Sequence, residues 1–246
     1  MAGEPTFEDV SYDYQGAPLR GLLCKPAGAD GRCPGVLLAP AAFGFTKHAR
    51  DRAAMIAQLG YVVLVADHYG NGATYEVQEA MEAMGGLFAD VAGWRGRLNA
   101  GLEALGARPE VDKTKLGAVG YCVGGTAVLE LAYSGAPLSA VVSFHGGLTL
   151  SDPAAAAALT QSILVCTGAD DPLVPPADVQ EFERQMRSGK ADWQIHVYGN
   201  TIHAFTDPDI DALGLPVARY NKQADERSWG AMRQLFEQVL GSVSAR

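Results

Sequence analysis

The chain has 246 residues, of which 48% are hydrophobic and 19% are charged, and its formal net charge is −9. This composition is typical of a soluble globular protein that is long enough to bury a full core. The acidic balance argues against a nucleic-acid or anionic-membrane partner, because both require clustered lysine and arginine.

The first predicted elements form an antiparallel hairpin, with strands at Phe7–Tyr12 and Pro18–Cys24 and with Gly16 in the turn. From residue 35 onward, short apolar runs alternate with helical patterns. The predicted strands are 35–39, 61–66, 116–121, 140–144, 162–166 and 193–198. Most of these runs are continuously apolar, as in parallel strands buried on both faces, whereas the last one alternates and predicts one wetter face.

Apolar stripes predict helices between these strands. The first stripe is ended by Gly60, and the stripes cover residues 49–56, 77–105, 179–186 and 229–239. The second stripe includes Met81 and Phe88, and Gly85-Gly86 interrupts it, which predicts a kink or a second helix there. Repeated strand–helix–strand units indicate an α/β fold with a mostly parallel sheet and helices on both faces. No linker or repeat divides the chain, so we expect one domain over 1–246.

The segment GYCVGG at residues 120–125 directly follows a predicted buried strand. It fits the nucleophile-elbow pattern G-x-S-x-G with Cys122 in place of serine. Such an elbow holds its nucleophile in a strained backbone conformation at a helix N-terminus, where the helix dipole favours a thiolate. The amide of Val123 would then point to where an oxyanion forms. The alternative is a buried structural cysteine in a glycine-rich turn.

An acid and a base follow two later strands. Asp170 and Asp171 come after the strand at 162–166, although aspartate also caps turns routinely. His203 lies in the loop after the strand at 193–198. The carboxyl ends of parallel strands meet at one edge of a sheet, and the order nucleophile, acid, histidine is that of the α/β-hydrolases.

The other four histidines are weaker candidates. We expect His48 on a solvated helix face and His196 within a strand. His68 and His145 follow strands and could line the pocket, but both precede the acid in the chain.

The cysteines show no CxxC pair and no metal-ligand spacing with histidine, so neither a metal nor another cofactor is expected. No apolar stretch approaches the ~20 residues that span a bilayer, and residues 1–9 lack a signal-peptide pattern. These features predict a cytoplasmic protein, in which a Cys24–Cys33 disulfide is disfavoured.

Three segments together resemble the dienelactone hydrolase family, a branch of the α/β-hydrolase fold with a Cys-His-Asp triad. They are GYCVGG around Cys122, GADDPLVP at residues 168–175 and IHAF around His203, and the resemblance covers most of the chain from about residue 35. It implies that the triad acid is Asp171 rather than Asp170. It also implies that Ala42, in LAPAAFG, supplies an oxyanion-binding amide beside that of Val123.

The chain departs from the family at three positions. Family members that hydrolyse dienelactone carry a glutamate at the position of Ala41 and arginines at the positions that match Asn71 and Asp207. Those arginines hold a substrate carboxylate through charge-assisted hydrogen bonds, so the resemblance implies a substrate other than dienelactone. In the absence of the glutamate, we expect Cys122 to pair directly with His203 and to rest partly as a thiolate.

The leading interpretation is a hydrolase of small neutral aryl esters or lactones that acts through a covalent thioester without a cofactor. The first alternative is a phosphotriesterase that uses the same cysteine, since some dienelactone hydrolase-like proteins are promiscuous phosphotriesterases. The second is a redox-sensing or binding thiol on a degenerate scaffold, against which His203 and Asp171 argue. The oligomeric state stays open.

The pocket predictions are coarser. Phe43, Tyr69, Leu173 and Phe205 lie in loops near the expected site and would form an apolar wall, with ordinary core packing as the alternative. Residues 71–88 are expected to form a partial lid.

Overall fold

One eight-stranded sheet organises the computed structural model, which describes residues 3–28 and 31–241. Its strands are β1 (Thr6–Tyr14), β2 (Ala17–Lys25), β3 (Cys33–Ala39), β4 (Val62–Val65), β5 (Val111–Tyr121), β6 (Ala140–Phe144), β7 (Ser162–Gly168) and β8 (Asp192–Tyr198). They lie in the order β1-β2-β4-β3-β5-β6-β7-β8. The hairpin strands β1 and β2 are antiparallel to their neighbours. The remaining strands, β3 to β8, are all parallel to one another. The predicted α/β fold is confirmed.

Helices cover both faces of the sheet. They are α1 (Lys47–Gln58), α2 (Val77–Ala89), α3 (Val91–Gly106), α4 (Val123–Tyr133), α5 (Pro176–Met186) and α6 (Lys222–Leu240). Apolar side chains of α3, α4 and α5 pack on one face, and those of α1 and α6 pack on the other. Every residue of β3, β4 and β6 is buried, which explains why these strands read as continuous apolar runs.

The helix break is not at Gly85-Gly86, as the sequence predicted, but at Asp90. Asp90 ends α2 and starts α3, where its side chain accepts a hydrogen bond from the Gly93 N–H at 2.9 Å. Such an N-cap stabilises a helix start by about 1 kcal/mol. The two glycines remain helical and exposed, because a glycine weakens a helix by roughly 1 kcal/mol without ending it.

The predicted buried stripe of α2 is also wrong at two positions. Met81 is 58% exposed and Phe88 is 51% exposed, whereas Ala80 and Leu87 are buried in their place. The helix is therefore rotated relative to the prediction. Phe88 keeps a partner at the helix boundary, where its ring meets the Trp94 ring edge-on at 5.6 Å.

Two further predictions about burial are wrong. His48 is buried, because its α1 face packs towards Arg52 and Thr206 rather than towards solvent. The alternation of β8 also shifts at its end, where Val197 is 52% exposed although it was placed on the drier face. β8 lies at the edge of the sheet, and its side chains are covered less completely than those of a central strand such as β6.

In the part of the chain that the structure describes, no helix is both long and apolar enough to cross a membrane. The single-domain prediction over 1–246 includes residues 1–2, 29–30 and 242–246, which lie outside the described residues, and it stays a prediction.

Candidate active site

Cys122 forms a sharp turn between β5 and α4. Its backbone angles are φ 56° and ψ −125°, a conformation that costs free energy for any residue with a side chain. The strand and the helix approach so closely that a Cβ on Gly120 would lie 1.9 Å from the Gly124 carbonyl oxygen, and a Cβ on Gly124 would lie 2.1 Å from that of Ala39. Both glycines are therefore required by space, as the elbow pattern predicted.

The side chains of three strand ends meet in one hydrogen-bonded chain. Nε2 of His203 lies 3.1 Å from Sγ of Cys122, and Nδ1 of His203 lies 2.9 Å from Oδ2 of Asp171. The second carboxylate oxygen of Asp171 accepts a hydrogen bond from the Leu173 N–H at 2.8 Å. Asp170 is exposed to solvent, so the geometry selects Asp171 as the partner of the histidine.

The contact between Cys122 and His203 changes the acidity of both groups. Burial alone would raise the pKa of the Cys122 thiol, but the positive charge and hydrogen bond of His203 outweigh it and lower that pKa. Burial likewise opposes a charged His203, yet the negative charge of Cys122 and the hydrogen bond that His203 donates to Asp171 raise the pKa of the imidazole above its ordinary value. The pair therefore favours a thiolate–imidazolium state.

Two backbone amides point at the same sulfur. The N–H groups of Val123 and Ala42 both hydrogen-bond Cys122 and contribute to its lowered pKa. They come together because β3 and β5 are neighbours, with Ala39 paired to Gly120. Crevices of this kind form where the chain order of a parallel sheet reverses, as it does between β3 and β5. An oxygen that becomes negative beside Cys122 would meet both donors.

Tyr69 is the predicted pocket residue with the most contacts. It is half-buried, and its hydroxyl donates to the Ala42 carbonyl at 3.0 Å. Its ring meets that of Tyr75 edge-on at 5.0 Å, and burial together with the nearby Cys122 charge raises the pKa of its hydroxyl. Tyr69 thereby restrains Ala42, the residue whose N–H is one of the two amides.

The other predicted wall residues differ in burial. Phe43 is half-buried, and Leu173, which follows Asp171 by two positions, is 52% exposed. Phe205 was placed in this wall wrongly. It has no exposed surface, and its ring packs edge-on against His145 at 5.1 Å, in the core on the α1 and α6 side of the sheet.

His68 and His145 do not line an open pocket. Each is only 1% exposed. Nδ1 of His68 accepts a hydrogen bond from the Trp94 indole at 3.5 Å. His145 lies directly behind the triad, with its ring centroid 5.1 Å from that of His203. Its position after a buried strand was visible in the sequence, but its contact with Cys122 was not.

The three positions that depart from the family carry no cation. Ala41 is half-buried and Asn71 is exposed. Asp207 is half-buried, with its carboxylate accepting the Asp209 N–H at 3.0 Å. Burial raises the pKa of Asp207, although the hydrogen bond from the Asp209 amide acts against this. Nothing at these positions would hold a substrate carboxylate.

The remaining cysteines do not take part in the site. Cys24, Cys33 and Cys166 are free and buried. Among residues 3–28 and 31–241, no three histidine, cysteine or acidic side chains are grouped so that they could hold a metal ion.

Comparison with known proteins places these features in a family. A model of the dienelactone hydrolase family matches residues 19–240. The fold is similar to the crystal structure of a dienelactone hydrolase-like promiscuous phosphotriesterase from metagenomic libraries, at 40% sequence identity and a TM-score of 0.93, over 96% of this chain and 99% of that one.

Two relatives known from sequence extend the comparison. An uncharacterised protein of Caenorhabditis elegans is 37% identical over 58% of this chain and 92% of its own length. A protein of Escherichia coli (strain K12) with the name "Putative carboxymethylenebutenolidase" is 26% identical over 96% of this chain and 88% of its own length.

Proposed function

This chain belongs to the dienelactone hydrolase family and is a hydrolase, and from that premise we propose that it cleaves small neutral aryl esters or lactones with Cys122 as the nucleophile. The observation that carries the proposal is the direct 3.1 Å contact between Cys122 and His203. A cysteine within hydrogen-bond distance of a histidine, at a helix N-terminus and close to two backbone amides, has the features of an activated nucleophile.

The first half-reaction forms a thioester. The Cys122 thiolate attacks the carbonyl carbon, and the carbonyl oxygen takes up the negative charge between the amides of Val123 and Ala42. The carbon–oxygen bond to the leaving group then breaks, and Nε2 of His203 donates its proton to the departing oxygen. Asp171 accepts the Nδ1–H of His203 and orients the imidazole throughout.

The second half-reaction releases the acid. His203, now neutral, takes a proton from a water molecule as that water attacks the thioester carbon. The tetrahedral intermediate uses the same two amides, and its collapse expels the Cys122 thiolate. The cycle ends with the thiolate–imidazolium pair restored, so each turnover consumes one ester and one water.

The preference for a neutral substrate follows from charge. An anionic substrate would approach Asp207 where other family members offer an arginine, and it would gain no compensating ion pair at Asn71. A neutral ester avoids this repulsion. The net charge of −9 also repels an anionic substrate, over longer distances.

A second candidate activity is hydrolysis of neutral phosphotriesters. It is favoured by the likeness to the promiscuous phosphotriesterase, at 40% identity over nearly the full length of both chains. A neutral phosphorus centre carries no charge that must be neutralised before a thiolate attacks. The thiolate would displace an aryloxide to give an S-phosphorylated Cys122, and water activated by His203 would then release the phosphodiester.

Residues 71–88 are proposed to form a partial lid on the site. The segment is tied to the loop that carries Ala42, because the Tyr75 N–H donates to the Phe43 carbonyl at 3.1 Å. Beyond this hydrogen bond, α2 leaves Met81 and Phe88 exposed.

We also propose a cytoplasmic location for the enzyme, as one domain over 1–246 without a cofactor, a nucleic-acid partner or a membrane partner.

One panel tests these proposals. A p-nitrophenyl ester, an aryl lactone and diethyl p-nitrophenyl phosphate are assayed side by side on the wild type and on Cys122→Ala. We expect turnover of the ester or lactone, with kcat lower by roughly 10⁴–10⁶ in the variant. A variant within tenfold of the wild type would contradict the assignment of Cys122. A wild-type burst of one equivalent followed by no turnover would instead indicate a binding or redox-sensing thiol.

A further inference from the structure

We propose that His145 is a positioning residue for the nucleophile, which as a neutral imidazole accepts the backbone N–H of Cys122 and binds Thr206 with its other nitrogen. It thereby couples the elbow to the loop that carries His203. This inference rests on the proposed role of Cys122 and assigns a function to a buried side chain that the triad itself does not use.

The geometry places His145 between the two loops. Nδ1 of His145 lies 3.0 Å from the Cys122 nitrogen, which also donates to the Phe144 carbonyl at 3.0 Å. On the opposite edge of the ring, Nε2 lies 2.8 Å from Oγ1 of Thr206, three residues after His203. A single imidazole therefore bridges the elbow and the histidine loop.

The backbone conformation of His145 is energetically unfavourable. His145 has φ 42° and is 1% exposed, and a bulky residue adopts this left-handed conformation only where its surroundings enforce it. Its own N–H continues the ladder between β6 and β7 by donating to the Cys166 carbonyl at 2.8 Å. Cys122, with φ 56°, is strained in the same sense. Cys122 and His145, which both have a positive φ, are thus joined by the hydrogen bond from the Cys122 N–H to Nδ1 of His145.

The partners of the ring decide where its proton lies. A backbone N–H can only donate, so Nδ1 of His145 must offer a lone pair to Cys122. A neutral imidazole then carries its proton on Nε2 and donates it to the Thr206 hydroxyl. The Thr206 hydroxyl also lies 3.4 Å from Nε2 of His48, where it shares the lone pair of that nitrogen with the Nε–H of Arg52.

The chain of polar groups ends in a buried ion pair. Nε of Arg52 donates to Nε2 of His48 at 3.3 Å, and Nη2 of Arg52 donates to Asp225 at 2.7 Å and to the Thr206 carbonyl. The guanidinium thereby anchors the far side of the histidine loop. The elbow is connected through His145 and Thr206 to a rigid charged pair between α1 and α6.

Burial and the charges around His145 keep its imidazole neutral. Burial lowers its pKa well below the ordinary value, and the nearby His203, His48 and Arg52 act in the same direction. A proton on Nδ1 would face the Cys122 N–H, so that two donors would oppose each other. The neutral form is therefore the one that fits the elbow.

Substitution tests the role through a matched set. His145→Asn keeps an acceptor near the position of Nδ1, whereas His145→Leu removes it at similar size. We expect His145→Leu to lower kcat for the p-nitrophenyl ester about ten- to a hundredfold, with KM changed less than threefold, and His145→Asn to recover most of the loss. Rates are normalised to active sites titrated by the burst, and His196→Asn, in the edge strand, serves as the control.

The outcomes are decisive in both directions. A normalised kcat for His145→Leu within twofold of the wild type would overturn the proposal, because a purely structural residue alters the folded fraction and not the rate per active site. If His145→Leu does not fold, Thr206→Val, which keeps His145 and releases its Nε2, replaces it. We expect a fall in kcat of at least threefold for Thr206→Val, and an unchanged kcat counts against the proposal.

A measurement on the wild type is independent of hydrolysis. Two-bond ¹H–¹⁵N correlation spectra distinguish the tautomers of each of the five histidines, with His145 assigned through His145→Asn. We expect His145 as the neutral Nε2–H form from pH 6 to 8, and a proton on Nδ1 would overturn the inference. Failure of the proposed function shows separately, as equal rates for the wild type and Cys122→Ala.

Discussion

The sulfur of Cys122 lies 3.1 Å from Nε2 of His203, although β5 and β8, which carry the two loops, are separated in the sheet by β6 and β7. The two loops meet because both leave the carboxyl edge of the sheet. At this distance a proton can pass directly between the thiol and the imidazole. The enzyme is therefore expected to start its cycle with a charged nucleophile.

The first prediction concerns the pH dependence of alkylation. Since the pKa of Cys122 is lowered and that of His203 is raised, the ion pair exists between the two values and disappears when acid protonates the thiolate. The rate of reaction with iodoacetamide should be nearly constant around neutral pH and should fall only in acid. Mass spectrometry between pH 4 and 9 measures it.

The other thiols provide an internal control for that experiment. Burial raises the pKa of Cys24 to about 11 and of Cys166 to about 12, so neither should react at neutral pH. In His203→Ala, reaction of Cys122 should shift to alkaline pH. A wild-type thiol that is inert below pH 8 would show that the pair does not form.

The second prediction separates two neighbouring carboxylates. Asp171→Asn removes the charge that orients His203, and loss of this orientation should lower kcat by roughly 10³–10⁴. The exposed Asp170 makes no contact with the triad, so Asp170→Asn should remain within twofold of the wild type. Steady-state kinetics on the p-nitrophenyl ester give the comparison, and equal losses in the two variants would refute the choice of Asp171.

The third prediction concerns substrate charge. Asp207→Arg converts a repulsive site into one that can bind a carboxylate, and such a charge-assisted contact is worth roughly 1.5–3 kcal/mol. It should raise kcat/KM for an aryl ester that bears a carboxylate by about tenfold or more, and change that of the uncharged analogue less than threefold. An equal change for both esters would mean that residue 207 does not face the substrate.

The fourth prediction concerns stability. The side chain of Arg52 is 5% exposed and that of Asp225 is 12% exposed, at 2.7 Å. Arg52→Met leaves a buried carboxylate without its partner, which should lower the free energy of unfolding by about 3–5 kcal/mol. Urea titration measures the loss. Arg184→Met, which breaks an exposed pair with Glu181, is the control and should leave the urea midpoint unchanged.

The triad was predictable because its signals are local. The glycines around Cys122 reflect a close approach of strand and helix that any such elbow requires, and the loops of Asp171 and His203 follow strands that are recognisable from their apolar runs. Parallel strands bring their carboxyl ends to one edge whatever the details of packing. The order of these three loops along the chain was therefore sufficient to place them together.

The wrong predictions depend on packing between distant segments. Phe205 is only two residues from His203, yet the strained turn at Ala204, with φ 55°, directs it into the core. His48 reads as a surface residue until α6 brings Asp225 to Arg52. The rotation of α2 that exposes Phe88 likewise depends on α3 rather than on its own periodicity. No local pattern carries this information.

The close approach of β5 and α4 limits how this enzyme can diversify. A side chain at Gly120 or Gly124 would collide with backbone, so the frame of the nucleophile is closed to variation by substitution. In the loops after β3, β4 and β7 a similar restriction applies only at single glycines such as Gly44, whose added Cβ would lie 2.1 Å from the Ala73 carbonyl oxygen, whereas Phe43, Tyr69 and Leu173 in these loops are half-buried or exposed side chains. New substrate ranges should therefore arise, in nature or in directed evolution, from these loops around an elbow that does not change.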